Sequence, residues 1–540
     1  MGKKVTFVIV AEGALDVQGR LITSEAVKQA IIDHMGMDAR VTTLGHVQRG
    51  GHPSAFDRYL ATIQGITATV AIVDNANQTS LSLLTVINEN HVTLRPITEC
   101  VARTKQIGID LRAGNFEAVF KARDPEFKFL FELHGLFCSQ VDVQATTRPN
   151  LTIALINIGA PCGGMNAANA AIVKYCVTKG HAVLGAYDGI RGFMDGKIQT
   201  LDLPQIQGCT ERGGSFLGTN RWLPESDNEV ELLVGKIVEK NIDAIIMVGG
   251  FEGFAFLKLL RDNAAYLRYN FPVLLIPATV SNNVPGTEYS IGSDTALNTV
   301  IGSCDIVRQS ASSSGNRVFV VEVQGGNCGY LATMSALSSG ASCCFIPEKK
   351  VGLRSMMAEI DHLKFRFQNF SRLGRIVIRN ENCSPVYTTE IMSKIFEDES
   401  DGKFDSRWIV LGHLQQGGNP SPIDRLRGVR LGIVCVDYIQ KILFPVTDIP
   451  DSGIPIIGID SGVTTPYHRG GNLLVVGVKG PKIVFTPFDS LHSEADMKNR
   501  RVQNPWWMRL YPLISMLSRG PQESNQQEDL KNNAVMDDNY

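Results

Sequence analysis

The sequence predicts an α/β protein with buried, mostly parallel sheets, built from two tandem copies of one large unit. Three observations carry this. First, LGHVQRGGHPSAFDR at 44–58 returns as LGHLQQGGNPSPIDR at 411–425, ten of the fifteen positions being identical. An Arg precedes each His by six residues (Arg40, Arg407), and a Glu stands further upstream on an apolar run (Glu12, Glu381). Self-similarity over this distance marks a duplicated domain-sized unit rather than a short-period solenoid. Second, from 151 onward apolar runs alternate with helical stretches: TIALINIG, HAVLGAY, DAIIMVGG, VLLIPATV, RVFVVEV, ASCCFIPE and RIVIRNE. Continuous apolar strands between helices belong to a parallel sheet covered on both faces. Third, Gly or Pro follows several of these runs, at the strand ends where open α/β sheets hold ligands.

In chain order, residues 1–75 read as the end of the first copy. VTFVIVAEG is an apolar strand, an acidic-basic helix follows, and RVTTLGHV is a second strand. After a Gly-rich turn, AFDRYLATIQGITATVAIV is a helix. From the 369-residue spacing of Glu12 and Glu381, the first copy is expected to open about 218 residues ahead of Met1. Residues 76–135 read as helical with short strands such as HVTLRPIT, and complete a remnant at 1–135. LFCSQVDVQATTRPN at 136–150 has mixed polarity, closes on Pro and reads as a linker. The second copy takes 151–517. The polar stretch 518–540, SRGPQESNQQEDLKNNAVMDDNY, is expected to be disordered.

Composition bounds the function. A chain of 540 residues with 44% hydrophobic content suits roughly three or four globular domains. A net charge of −2 leaves no basic surplus to coat nucleic acid, so any anion site must be a local cluster of Arg and Lys. The eleven cysteines form no CxxC, and Cys343 and Cys344 are adjacent. That pattern fits reduced thiols in the cytoplasm rather than a disulfide framework. MGKKVTFVIVAEG turns acidic too soon for a secretory signal, and no run of about 18 apolar residues suggests a membrane span.

Four constellations can carry chemistry. TIALINIGAPCGGMNAANAAIV, 152–173, is a strand, a turn with Gly159, Gly163 and Gly164, and an Ala-rich helix. Free N–H groups at such a helix start suit a phosphate. The glycines equally suit a closely packed turn, and the spacing is not GxGxxG, so no dinucleotide fingerprint is supported. DAIIMVGGFEGF, 243–254, again sets glycines after a strand. Phe251 stands where a metal–nucleotide site wants a small polar or acidic residue. Glu252 is either a magnesium ligand or, as such acids more often are, a solvated turn residue. VLLIPATVSNNVPGTEYSIGSDTALNT, 273–299, ends a strand in Thr279, Ser281, Asn282 and Asn283. These suit sugar hydroxyls but include no general base near pH 7. The fourth constellation is cationic: Arg221, Arg317, and Arg407 with His413, matched in the first copy by Arg40, His46 and Arg49. Guanidinium forks fit phosphate oxygens two at a time. A single Arg is most often a surface residue, yet these stand beside strand ends or Gly turns, and the Arg–His pair occurs twice.

The two repeats, GAPCGGMN, PATVSNNVPGTEYSIGSDTALNT and RQSASSSGNRVFVVEVQGG together resemble the ATP-dependent 6-phosphofructokinases. The resemblance is to the eukaryotic, fungal-like form, in which duplication joins a catalytic and a regulatory half, and it spans roughly 1–515. It implies the phosphofructokinase fold, with Rossmann-like three-layer lobes and mostly parallel sheets in tandem duplicated halves. It also implies a cytoplasmic kinase of glycolysis that transfers phosphate from ATP, with Mg²⁺, to fructose 6-phosphate in its N-terminal half. The C-terminal half would bind fructose 2,6-bisphosphate as an activator. Other phosphofructokinase subunits would complete a tetramer or larger assembly, with no nucleic acid and no membrane partner.

Carried over residue by residue, Glu12, His46, Val47, Gln48 and Arg49 match the fructose 6-phosphate contacts of the catalytic half. Arg40 matches the Arg that reaches a neighbouring subunit's site. The family's catalytic Asp, ATP loop and magnesium ligands would lie upstream of Met1, so no catalytic residue or metal ligand is expected within the chain. In the second copy those positions are present and altered. Ala160, Pro161 and Cys162 stand for Gly-Gly-Asp, Phe251 for the metal Asp, Ser281 for the base and Asn283 for a second acid. Phosphoryl transfer depends on positioned metal and electrostatics, and these losses oppose it. The second copy then matches a bisphosphate effector site at Arg221, Thr279, Val280, Ser281, Asn282, Asn283, Arg317, Gln324, Gly325 and Gly326. Its remaining contacts would be Glu381, Arg407, His413, Leu414, Gln415, Gln416 and Arg500, with Arg501 as the alternative to the last. Gln416 stands where the first copy has Arg49, and the lost charge separates the ligand preferences of the two sites.

The leading reading is thus a 6-phosphofructokinase subunit carrying mainly its allosteric half and inactive alone. A second reading is a catalytically inactive regulatory protein that binds sugar phosphates. A periplasmic-type sugar-binding protein shares only the α/β class.

Overall fold

The structure, a computed structural model, describes residues 7–75, 82–88, 91–123, 131, 151–369, 374–444, 472–480 and 482–519. The expected linker at 136–150 and the expected tail from 520 onward lie outside the described residues. The chain divides into two compact units, Met1–Pro53 and Ser54–Tyr540.

The described part of the first unit holds one α-helix, α1 (Ser24–Met35). Thr23 Oγ1 caps its start by accepting from the Ala26 N–H at 3.2 Å, and Gly36 ends it in the left-handed conformation. A 3-10 turn spans Gly45–Arg49. Among the described residues no strand forms at VTFVIVAEG or at RVTTLGHV, whose last three residues open the 3-10 turn, and the only strand-type pairing among them in this unit is the single bridge Leu15–Leu21. A strand is held by its ladder, and no neighbouring strand lies beside either segment among the described residues. None of the described residues in 7–53 is buried.

The second unit opens with α2 (Ala55–Asp74), where Ser54 and Asp57 form a reciprocal capping box. A hairpin of β1 (Leu83–Asn88) and β2 (His91–Pro96) follows, then α3 (Ile97–Arg112) and α4 (Phe116–Ala122). The larger lobe begins with β3 (Thr152–Ile158), α5 (Met165–Thr178), β4 (Ala182–Ala186), α6 (Gly189–Met194) and β5 (Ile198–Thr200). It continues through α7 (Asp227–Glu239), β6 (Ala244–Gly249), α8 (Phe251–Asp262), α9 (Ala264–Tyr269) and β7 (Val273–Pro277). The long α10 (Ser293–Ser314) leads to the second lobe: β8 (Arg317–Val323), α11 (Tyr330–Ser339), β9 (Cys343–Phe345), α12 (Leu353–Asn369), β10 (Arg375–Asn380), α13 (Thr389–Asp398) and β11 (Asp405–Val410). The chain then returns through α14 (Pro422–Leu443), β12 (Leu473–Lys479), β13 (Lys482–Pro487) and α15 (Phe488–His492). A short hairpin of β14 (Ala495–Asp496) and β15 (Arg501–Val502) and the helix α16 (Tyr511–Arg519) close the described chain. Ser518 and Arg519, assigned to the tail by their sequence, are the last turn of α16.

The sheets are as the apolar runs predict: those seven runs are β3, β4 and β6 to β10. One sheet has the order β13-β12-β7-β6-β3-β4-β5, parallel inside with antiparallel edges β5 and β13. The other, β11-β8-β10-β9, is wholly parallel. Every residue of β6 and β7 is buried, as strands covered on both faces must be. Helix α14 lies against α5 at glycine contacts. A Cβ on Gly428 would stand 2.9 Å from the Ala168 nitrogen, and one on Gly432 would stand 3.0 Å from the Ala168 oxygen. Among the described residues, no helix is long and apolar enough to cross a membrane.

Candidate functional site

The sequence-marked residues of the second copy fall into three groups. The first gathers where β3, β6 and β7 end. Gly159 leaves β3 at φ +95°, where an L side chain is strained, and Gly164 starts α5 at φ +101°. Asn157 donates to Ser215 Oγ at 2.6 Å, and Asn166 both donates to the carbonyls of Arg212 and Gly213 and accepts from the Phe216 N–H. These bonds fix the loop that carries Arg221. Beyond β7, Thr279 takes its place through its N–H on the Ile291 carbonyl, and its Oγ1 accepts from the Ser281 N–H at 3.2 Å. Val280 is buried beside them. Asn282 adopts φ +49°; its amide donates to the Glu288 carbonyl at 2.8 Å and accepts from the Ser290 N–H at 2.6 Å. Its side chain therefore shapes the loop. Asn283 donates to the Arg500 carbonyl at 2.8 Å.

Glu252 corrects the expectation of a solvated turn residue. It lies in the first turn of α8 with its side chain only 9% exposed. Its Oε1 stands 2.6 Å from Arg500 Nη2 and 3.6 Å from Arg221 Nε. The neighbouring Phe251 packs inward, its ring 5.4 Å from that of Phe254, and the Arg500 guanidinium sits 5.8 Å from the Phe251 ring. The site therefore does not fit magnesium and a nucleotide triphosphate. Phe251, which the resemblance matches to the metal Asp, is a buried phenyl ring, and the Glu252 carboxylate next to it in sequence is taken by two arginines. Cys162, which the resemblance matches to the loop's acid, is also buried and directs its Sγ to the Ile291 carbonyl.

The second group surrounds the ends of β8 and β10. Glu381 Oε1 accepts from the N–H groups of Gly325 at 3.2 Å and Gly326 at 2.8 Å. Gly325 has φ +134° and Gly326 φ +56°. Gln415 is buried; it accepts from the Gln324 N–H and donates to the Gly412 carbonyl. Gln416 donates to Gln324 Oε1 at 2.9 Å. His413 and Leu414 are exposed on the same 3-10 turn, Gly412–Gln416. One hairpin joins the two groups. Arg500 serves the first, while Arg501 donates to the Asn327 carbonyl at 2.9 Å and pairs with Glu348. Through these partners Arg500 stands near the Gly159 and Gly250 turns and Arg501 next to the Gly325–Gly326 turn.

Arg317 and Arg407 form the third group, at the other end of the sheet. Arg317 is the first residue of β8, and Arg407 pairs in register with Phe319. Along the strand, Arg317 is roughly 23 Å from Gln324. Arg317 contacts Ser314 and Asp405; Arg407 lies 3.4 Å from the Glu397 carboxylate. Within one chain they do not join the other groups.

The first-copy residues lie in the first unit, and Glu12, Arg40, His46, Val47, Gln48 and Arg49 are not buried there. Arg40 stands 3.7 Å from Asp38. The local turn nevertheless copies the second unit's. Gly45 and Gly412 share φ +53°, and Gln48 donates to the Gly45 carbonyl as Gln415 does to that of Gly412.

A family model described as Phosphofructokinase matches residues 1–72 and 152–439. Among curated relatives, ATP-dependent 6-phosphofructokinase, platelet type, of Oryctolagus cuniculus is 37% identical over 520 residues, covering 96% of this chain and 63% of the relative. ATP-dependent 6-phosphofructokinase subunit beta of Kluyveromyces lactis is 39% identical over 517 residues, covering 94% of this chain and 54% of the relative. The chain thus spans somewhat less than two thirds of the length of these relatives. Among solved structures, phosphofructokinase from Saccharomyces cerevisiae superposes with a TM-score of 0.86 at 34% identity, over 95% of this chain and 67% of that one. Pichia pastoris phosphofructokinase in the T-state gives 0.84 at 36%, over 96% and 58%.

Proposed function

The chain belongs to the phosphofructokinase family, and on that premise we propose that it is a 6-phosphofructokinase subunit whose second copy is an effector site for fructose 2,6-bisphosphate. The assembled enzyme would transfer phosphate from ATP to fructose 6-phosphate. The observation that carries the effector reading is the nucleotide end of the second copy. A catalytic half needs a magnesium carboxylate and a base; here Phe251 is buried, Ser281 has no base, and Arg221 and Arg500 converge on one spot. The two guanidiniums suit the phosphates of such a sugar. The N–H groups of Gly325 and Gly326 are taken by Glu381 Oε1, which holds that carboxylate in place to accept from sugar hydroxyls. Arg317 and Arg407, at the far end of the same sheet, would reach the site of a neighbouring subunit, so binding would depend on assembly.

Two measurements test this. The chain expressed as it stands is expected to show no fructose 6-phosphate kinase turnover in a coupled assay, since loss of a general base alone removes about 10²–10⁴ in rate. Turnover close to that of a full-length phosphofructokinase would overturn it. In calorimetry on the assembled full-length enzyme, Arg407→Ala should weaken bisphosphate binding by about 1.5–3 kcal/mol, the scale of a hydrogen bond to a charged group. Ser281→Asp should weaken it as well, by adding a like charge. Unchanged affinity in both variants would put the effector elsewhere.

A further inference from the structure

The arginines nearest the glycine turn of the second copy already hold an anion, and it belongs to the chain. Glu252 is nine-tenths buried, yet its two partners are not: the Arg500 side chain is 46% exposed and that of Arg221 67%. The carboxylate looks inward from the helix start while both guanidiniums keep a face to solvent. A Cβ added to Gly159 would come within 2.8 Å of Glu252 Oε2, and one added to Gly250 within 3.4 Å. The oxygen therefore lies against the glycine turn whose strand-to-helix geometry suits anions. Arg500 is held there in a non-glycine left-handed conformation, φ +56°, with its carbonyl tied to Asn283. Such a backbone persists only where surrounding contacts over-determine it.

We propose that Glu252 is the site's own counter-anion, a built-in carboxylate that occupies the phosphate cradle and from which an incoming phosphate must take Arg500 and Arg221. Two anions on the same pair of arginines repel each other, and in a partly buried site a like charge a few ångströms away is worth a factor of ten or more. Glu252 therefore lowers affinity for every phosphate ligand. A second phosphate contact does not reduce this penalty; it only lets a ligand bind in spite of it. That the natural ligand is a sugar bisphosphate rests on the effector-site reading above; the displacement itself does not.

The test is calorimetry on the full-length chain with fructose 2,6-bisphosphate and, separately, inorganic phosphate. Glu252→Gln keeps the side chain's shape and removes its charge, and is expected to tighten both ligands about tenfold. In an Arg500→Ala background the same substitution should give much less, because the coupling runs through that guanidinium. Glu252→Asp keeps the charge but draws the carboxylate back by one methylene; it should give a smaller gain, about two- to threefold, and carries the test if the Gln variant does not fold. Weaker or unchanged binding in a folded Glu252 variant would overturn the proposal and make Glu252 a scaffold for the arginines. If the bisphosphate does not bind at all while Glu252→Gln still tightens inorganic phosphate, the effector reading fails and the counter-anion stands.

Discussion

At the scale of single residues, repeat identity does not mean identity of role. Asp57 and Asp424 both follow a capping Ser by three positions. Asp57 is exposed and completes a capping box, whereas Asp424 is fully buried and accepts from the N–H and hydroxyl of Thr295 at 2.7 and 2.6 Å. Burial pushes the Asp424 carboxyl up to about 6; Arg427 and the Thr295 bonds oppose this, and Asp294 adds to it. A carboxylate whose folded value lies above its unfolded one binds protons more tightly when folded. Its contribution to stability therefore rises as pH falls from above 6 to below 4. The difference of about two units corresponds to about 3 kcal/mol. His362 works the other way. Burial and the Arg519 charge hold it down to about 4, so it takes up protons more readily when unfolded, and stability is lost as pH falls from 6.5 through 4. Urea unfolding between pH 4.5 and 7.5 should show Asp424→Asn losing stability relative to the parent as the pH is lowered. A difference that does not change with pH would show that Asp424 does not titrate there.

At the scale of elements, α2 shows how a first-copy segment is held. Ala55 and Tyr59 are buried against α10 and α11. The Ala55 N–H donates to Asn298, and Arg58 forks onto Asp305 at 3.0 and 2.6 Å. The sequence assigns this helix to the tail of the first copy, but its described packing is within the unit that begins at Ser54. Its counterpart α14 uses Gly432 to approach α5, while Gly65, at the matching place in α2, has nothing within 4 Å of its Cβ position. Tyr59→Ala should cost about 3–5 kcal/mol, as for other large aromatic truncations. Limited proteolysis should then cut within 55–74 in the variant, while the parent is first cut ahead of Ser54. Equal protection of the helix in both would mean that Tyr59 does not anchor it.

At the scale of the whole molecule, stability is unevenly distributed. The described residues of 7–53 include none that is buried, and Phe7 and Ile9 are almost fully exposed. Residues 151–443 supply buried strands on both sheets and most of the core. Regions with few buried apolar contacts open at low free-energy cost. Hydrogen exchange should therefore be fast throughout 7–53, apart from the interior of α1, and slowest in β3, β6 and β7. Strong protection across 7–53 would show that this stretch is packed in solution.

Local chemistry was legible without coordinates. Strands β3, β4 and β6 to β10 announce themselves as apolar runs because a doubly covered strand has no face that tolerates water. The two His-containing turns repeat because Gly45 and Gly412 supply the same positive φ, and Ser54 and Ser421 cap the helices that follow. Phe251 and Ser281 stand where the family resemblance sets a metal Asp and a base, and neither side chain can do either job. What needed the tertiary structure was everything set by distant partners. VTFVIVAEG has the pattern of a strand but no described neighbour to bond, so the pattern alone does not make one. Arg500 and Arg501 are indistinguishable in sequence, and only the β14–β15 turn sends one to Glu252 and the other to Glu348. Glu252 itself looks like a solvated acid until the loop carrying Arg221 and the 495–502 hairpin carrying Arg500 bring two arginines to it. Side-chain periodicity is a local property, whereas the burial and pairing of a charge depend on segments hundreds of residues away.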